Sequence, residues 1–276
     1  MPLPEQVASS NVARHYDELD PVYRAVWGDA LHHGLWTTGR ESLGEAVDAL
    51  ECELVAALGQ AGVNGGRVVD VGCGNGVLSG RLQHELGVEV VGVTVSPVQA
   101  ARAAEDPSLR IVCGDWMQAA DGLGLFDALV EVEALGHLAS VSAFFDQAAL
   151  SVAPGGVVVM SDYLATDRGW CDGSRTLMRL CEHGRLTGLA TRNEVVAAAV
   201  AAGFELEDDR DWSEHVAPTW SVLQRRMWTR AWRSAGVWRA LARVRRWSDL
   251  RVGALAGMLR GYERGWLEYR MMVFRR

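Results

Sequence analysis

The sequence predicts an α/β fold: a doubly wound, mostly parallel, seven-stranded sheet with N-terminal helices and a helical Arg/Trp-rich insert. Three observations carry this expectation. Val68–Gly76 reads Val-Val-Asp-Val-Gly-Cys-Gly-Asn-Gly, an apolar run, an acid within it and three alternating glycines. Short apolar runs then alternate with helix-period segments, as parallel strands with helical crossovers require. Helix starts are also marked: Ser96-Pro97 reads as N-cap and first helical residue, and Thr191-Arg192-Asn193-Glu194 as a capping box.

In chain order, residues 1–10 read as a loose tail, and helical spacing begins near Asn11. An aromatic and His-rich stretch, Trp27 to Trp36, follows. A second helix over Leu43–Leu58 places Ala46, Leu50, Val55 and Leu58 on one apolar side. Arg67–Val71 suits a buried parallel strand. Gly72, Gly74 and Gly76 permit a tight turn with a ligand against bare backbone. Val77–Leu86 continues as a helix, with Leu78, Leu82 and Leu86 in phase. Strands are expected at Val88–Val93, Leu109–Cys113 and Phe126–Val132. A helix over Val141–Val152 and a turn at Pro154-Gly155-Gly156 lead into a strand at Val157–Ser161. An Ala/Val helix runs from Thr191 to Ala202 and stops at Gly203. Phe204–Leu206 opens a sixth strand and Glu268–Phe274 reads as the last. Between these two lies an insert, with Trp228 and Trp232 one helical turn apart. It reads as a substrate cap, a dimer surface or a membrane-surface helix.

Composition bounds the function. The chain has 276 residues, 49% of them hydrophobic, enough for a substantial core. No apolar run reaches the length of a membrane span, and the first residues lack the layout of a signal peptide. Five cysteines without metal-ligand spacing fit reduced thiols in a cytoplasmic protein, and no metal site is expected. Net charge is −8, yet from Ser221 to Arg276 there are 14 arginines against three acids. Such asymmetry can mark an anionic partner. The acidic whole and the lack of a recognised module argue against nucleic acid. There is no lysine, which reads as base composition of the genome.

The glycine turn chooses among nucleotides. A dinucleotide fingerprint would need glycine where Val77 stands, and there is no Gly-Lys-Ser/Thr of an ATPase phosphate loop. What remains is Asp-x-Gly-x-Gly-x-Gly, beginning at Asp70, with a purely structural strand-to-helix turn as the alternative.

That turn resembles motif I of the class I S-adenosylmethionine (SAM) methyltransferases, which have a Rossmann-like sheet. Further matches are Tyr16-Asp17, His32-His33-Gly34-Leu35-Trp36, Gly92-Val93-Thr94-Val95-Ser96-Pro97-Val98-Gln99, Gly114-Asp115-Trp116, Glu133 with His137, and Pro154-Gly155-Gly156. Together they are similar to the group holding γ-tocopherol, sterol and prenyl-diphosphate C-methyltransferases, cyclopropane fatty-acid synthases and many natural-product O-methyltransferases. The resemblance implies SAM as cofactor and four parts: a helical cap over 1–60, a SAM-binding domain over 61–217, an acceptor-covering insert over 218–265 and a final strand over 266–276. It implies a methyltransferase acting on carbon or oxygen of a small, largely apolar metabolite. A cyclase that keeps SAM unconsumed is the alternative, and a homodimer is open.

The same resemblance distributes the site. Tyr16 and Trp36 would close over SAM. Asp70 would orient its amino group and Gly72 and Gly74 would meet its methionine part. No acid ends the second strand, so Thr94, Ser96 or Gln99 would serve the ribose. Asp115 would accept from the adenine amino group, with Trp116 beside the ring or in the core. Glu131 is a departure from the group pattern, so two acids, Glu131 and Glu133, follow the fourth strand, and either can face SAM or the acceptor. His137 stands where a general base is needed if the acceptor is a hydroxyl. Glu133 is the group to stabilise a cation if the acceptor is a carbon. His33 is a third catalytic candidate, or packing beside Trp36.

Overall fold

The structure, a computed structural model, describes residues 9–230, 236–239 and 254–276. Trp232, Trp247 and most of the expected tail before Ser9 lie outside these residues. The seven strands follow the order β3-β2-β1-β4-β5-β7-β6. β1 (Arg67–Val71) pairs in parallel with β2 (Glu89–Thr94) and β4 (Phe126–Val132). β3 (Arg110–Cys113) extends one edge in parallel. On the other side β5 (Val152–Ala165) pairs with β4 in parallel and with β7 (Leu267–Arg275) antiparallel. β7 also pairs antiparallel with β6 (Glu205–Asp211). The sheet is therefore doubly wound and mostly parallel, as the alternation of elements predicts.

Helices cover both faces. Leu50, Leu54 and Leu58 of α2 (Leu43–Gln60) and Leu82 of α3 (Val77–Leu86) bury against Val68, Val90 and Val130. Phe144 and Phe145 of α6 (Val141–Ser151) and Val195 of α9 (Arg192–Ala201) bury against Val69, Val91 and Phe274 on the opposite face. The capping box at Thr191 and the Ser96 cap both form as the sequence indicates.

Two stretches differ from expectation. Pro154-Gly155-Gly156 is not a turn before the fifth strand but lies within β5, where the pairing with β4 shifts register between Phe126 and Ala128. A bulge of this kind absorbs the extra residues and Gly155, whose φ is 81°. The strand also runs on to Ala165, because β7 pairs with it as far as Leu267. Beyond it, two helices, α7 (Asp167–Asp172) and α8 (Ser174–Gly184), stand where no helix was expected.

The N-terminal helix α1 (Ser9–Val26) packs on α11 (Pro218–Arg230), which begins the insert. The last helix, Leu255–Glu263, packs on α8 and α11. Leu19, Val22 and Val26 share one core with Trp36, Leu43, Leu223 and Leu255. Gly34 makes this possible, since a Cβ there would stand 2.6 Å from Cβ of Ala46.

Candidate functional site

Two chambers open beside the carboxyl ends of the parallel strands. The first, about 130 Å³, takes its walls from the turns after β1, β2, β3 and β4. The second, about 170 Å³, lies between α1, α8, α11 and the last helix. Tyr16, Leu31, Glu133 and His137 line both.

The first chamber is built on the glycine turn. Gly72 has φ 82°, and a Cβ there would come within 2.4 Å of Ala134. Gly74, at φ 54°, has open space where its Cβ would project. Asp70 is buried and accepts a 2.5 Å hydrogen bond from Ser79 Oγ. Burial raises its pKa to about 6, with the Ser79 bond opposing. Thr94 Oγ1 donates to Gln99 Oε1 at 2.9 Å, so those two side chains form one wall. Asp115 caps the short helix α5 (Trp116–Ala119) by accepting from Met117 N at 3.0 Å. Trp116 is buried, and its indole N–H has no partner among the described residues.

Three expected cofactor residues do not line this chamber. Trp36 packs in the core under the insert, where its Nε1 donates to Thr219 Oγ1 at 2.9 Å. Ser96 caps helix α4 (Pro97–Ala103) and donates to Asp17 Oδ1 at 2.5 Å, tying α1 to the sheet. Glu131 is wholly buried and accepts from the backbone N–H groups of Ala134 and Leu135. In their place stand His32, Glu51 and Asn75. His32 Nδ1 donates to His33 O at 2.8 Å and its Nε2 lies 3.2 Å from Glu51 Oε1. Acceptors facing both ring nitrogens stabilise the protonated ring. Burial works against that charge, but Glu51 outweighs it and the His32 pKa is raised. One signal in the sequence pointed there: Glu51 is an acid on the apolar stripe of α2, four residues after Val47.

At the junction of the chambers His137 and Tyr16 form a pair. His137 Nδ1 lies 3.3 Å from the carbonyl of Arg185, and its Nε2 2.9 Å from the Tyr16 hydroxyl. A carbonyl only accepts, so Nδ1 carries the proton and Nε2 keeps its lone pair toward Tyr16. Burial lowers the His137 pKa to about 4, which leaves it neutral near pH 7. Burial pushes the Tyr16 phenol well above its ordinary value, so Tyr16 stays a donor.

Glu133 adopts φ 54°, unusual for a residue with a side chain, and its N–H donates to Ser161 O at 3.0 Å. Its Oε1 accepts from His33 N at 2.7 Å and from Tyr269 Oη at 2.9 Å, with His33 Nδ1 also at 2.9 Å. Burial alone would raise its pKa, yet His33 and His32 more than offset this, and Glu133 is held below the usual range as an anion. His33 itself lines neither chamber. Its Nε2 accepts from Trp220 Nε1 at 2.6 Å; an indole N–H can only donate, so the ring proton sits on Nδ1, toward Glu133. His33 Nδ1 thus lies 2.9 Å from Glu133 Oε1 but out of line for a hydrogen bond, and its contact with the carboxylate is one of charge and proximity.

The second chamber is mostly apolar and aromatic. Tyr23, Trp27, Tyr163 and Trp220 line it with Met227 and Met258, while His15 and His183 add polar edges. Sequence reading missed His15, Tyr163 and His183, which carry no motif and converge only through packing.

Comparison with known proteins agrees with this fold. A family model described as a methyltransferase domain matches residues 43–237. The tocopherol O-methyltransferase of Arabidopsis thaliana, a chloroplastic protein, is 27% identical over 288 residues, covering 94% of this chain and 79% of that protein. The 27-O-demethylrifamycin SV methyltransferase of Amycolatopsis mediterranei is 28% identical over 229 residues, covering 79% of this chain and 82% of that protein. Among solved structures, a mycolic acid cyclopropane synthase complexed with SAH and CTAB superposes with a TM-score of 0.84 at 22% identity, covering 98% of each chain.

Proposed function

The chain belongs to the methyltransferase-domain family and is a SAM-dependent enzyme; from that premise we propose that the first chamber holds SAM and the second a small, largely apolar acceptor bearing a hydroxyl or a nucleophilic carbon. The observation that carries this division is the shared wall of Tyr16, Leu31, Glu133 and His137 between the chambers.

The residues present fit the cofactor. Asp70 offers a carboxylate for the amino group, Gly74 leaves open the space a side chain would fill, and the unpartnered indole N–H of buried Trp116 awaits an acceptor such as a ring nitrogen. Thr94, Gln99 and Asp115 complete the wall, and the glycine turn meets the methionine end. When bound, SAM supplies an electrophilic methyl group on a sulfonium.

The protein's part is positioning and proton removal. An acceptor hydroxyl at the junction meets the lone pair of His137 Nε2, directly or through the Tyr16 hydroxyl that already donates to it. Its proton ends on Nε2 as its oxygen takes the methyl, and the Arg185 carbonyl holds the imidazolium by Nδ1–H. For a carbon acceptor, the anionic Glu133 beside Tyr16, Tyr163 and Trp220 stabilises positive charge before His137 removes the proton. The activities named for both curated relatives are methyl transfers, which favours transfer over cyclisation without SAM consumption. No helix among the described residues is long and apolar enough to cross a membrane. A cytoplasmic setting and a homodimer are part of this proposal, open to fractionation and light scattering.

The test is release of S-adenosylhomocysteine from purified protein given SAM and a panel of hydroxylated aromatic, prenylated and polyketide-like acceptors. Product formed without S-adenosylhomocysteine would favour the cyclase. Tight SAM binding with no turnover on any member would count against an acceptor of this class.

A further inference from the structure

We propose that Glu131 and Asp162 form a proton-sharing acid pair that positions the loop carrying Glu133 and His137, and so sets both chambers. Both side chains are buried on neighbouring strands, paired in the sheet with Glu131 opposite Met160 and Val132 opposite Ser161. They converge on one backbone amide: Leu135 N lies 2.8 Å from Glu131 Oε1 and 3.1 Å from Asp162 Oδ2. Glu131 Oε1 also accepts from Ala134 N, and Asp162 Oδ1 accepts from Tyr163 N at 2.6 Å. Three of the four carboxyl oxygens therefore receive backbone donors. The fourth, Glu131 Oε2, is buried with no donor directed at it.

Two buried carboxylates in contact repel unless one keeps its proton. The proton is shared between the two acids, with Glu131 Oε2 the one oxygen that no backbone N–H occupies. Burial and mutual repulsion hold both carboxyls above the ordinary range, in support of this arrangement. Glu133 on the loop is an anion that strengthens the repulsion. Tyr163 of β5, Tyr16 of α1, Tyr262 of the last helix and Tyr269 of β7 have phenols pushed up by burial and stay neutral. His32 and His33 face Glu133 and bind it or Glu51.

The loop that the pair grips, Glu133 to Leu138, lines the cofactor chamber through Glu133, Ala134, His137 and Leu138. Loss of the shared proton at alkaline pH leaves two anions on one amide and loosens that wall. Glu131→Gln supplies a neutral donor at the position of the protonated acid and removes the titration. The roles are positioning ones, since neither side chain lines a chamber.

The proposal rests on SAM occupying the first chamber, and its test needs no acceptor. S-adenosylhomocysteine affinity is measured by calorimetry from roughly pH 6 to pH 10 for wild type, Glu131→Gln, Asp162→Asn and Glu131→Ala. The expected result is about tenfold or greater weakening for wild type across the alkaline half, and a flat profile for Glu131→Gln. Glu131→Ala binds about tenfold or more weakly at every pH, because it strips Ala134 N of its acceptor and leaves Leu135 N to Asp162 alone. A wild-type profile as flat as that of Glu131→Gln, or an alkaline loss that Glu131→Gln and Asp162→Asn both retain, overturns the acid pair. No binding by wild type at any pH would instead refute the chamber assignment. Should Glu131→Ala fail to fold, the two isosteric variants decide alone, supported by the infrared band of a protonated carboxyl that both must lose.

Discussion

The two chambers are built in different ways. Most of the walls of the first come from the segments that end consecutive parallel strands, Asp70–Leu78, Thr94–Gln99, Gly114–Trp116 and Val132–Leu138, with α1, the stretch from Asp29 to His32 and Glu51 closing the rest. Each strand-end segment is short, and its residues are set by the local turn: a glycine at positive φ, a serine cap, an aspartate cap. Walls of the second come from α1, α8, α11 and the last helix, elements from both ends of the chain held together by apolar packing. A site built from strand ends keeps its chemistry when neighbouring helices shift. A site built between helices depends on how those helices dock, so its residues can change with little effect on the sheet. The contrast suits the proposed division, cofactor binding in one and acceptor selection in the other, with His137, Tyr16 and Glu133 between them.

Removing the base between the chambers should have the largest effect. His137→Ala is expected to lower turnover by about 10²-fold or more while SAM affinity stays within about threefold, read by steady-state kinetics and calorimetry. Wild-type turnover in that variant would leave positioning alone as the source of catalysis. Next in size is the cofactor side: Asp70→Ala and Gly74→Val should weaken SAM by roughly tenfold to a hundredfold, for loss of a charged hydrogen bond and for a side chain intruding on the open cradle. An unchanged SAM affinity in folded Gly74→Val protein would contradict the glycine-turn assignment.

Acid should act at this junction as well. His137 and His15 have pKa values lowered by burial to about 4 and about 3, below the ordinary value they regain on unfolding. The unfolded chain then binds more protons between those limits, so their contribution to stability is full above about pH 6.5 and is lost as pH falls. Because Asp70, Glu131 and Asp162 are raised and act with the opposite sign, the histidine share is read as a difference: over that window the melting temperature of wild type should fall by several degrees relative to that of His15→Phe. An equal acid slope in the variant would remove His15 from the account.

Smaller effects separate the chambers further. Thr219 Oγ1 accepts from Gly34 N at 3.0 Å and from Trp36 Nε1, joining the His-His-Gly-Leu-Trp stretch to the insert. Thr219→Val strands two buried donors and should cost about 2 kcal/mol by denaturant unfolding, raising the KM for acceptor more than that for SAM. Ser96→Ala should cost about 1 kcal/mol as a lost cap, with SAM affinity little changed. A large loss of SAM affinity there would restore Ser96 to the ribose role.

How far the sequence reaches follows the same division. β1, α3 and β4 begin and end where residue pattern places them, because apolar runs and glycines act over a few residues. Asp70, Gly72, Gly74, Thr94, Gln99, Asp115 and Trp116 line the chamber expected of them, since each sits at a strand end whose direction the parallel sheet dictates. Trp36 and Ser96 occupy motif positions too, yet their side chains turn to Thr219 and Asp17. Motif spacing determines where a backbone passes. Which way a side chain turns is decided by the partners that burial supplies, and those partners lie far off in sequence. For the same reason the tertiary structure alone decided that His33 lies against Glu133, that Tyr16 meets His137, and that helices from both ends of the chain enclose the second chamber: apolar burial rewards contact without regard to sequence separation.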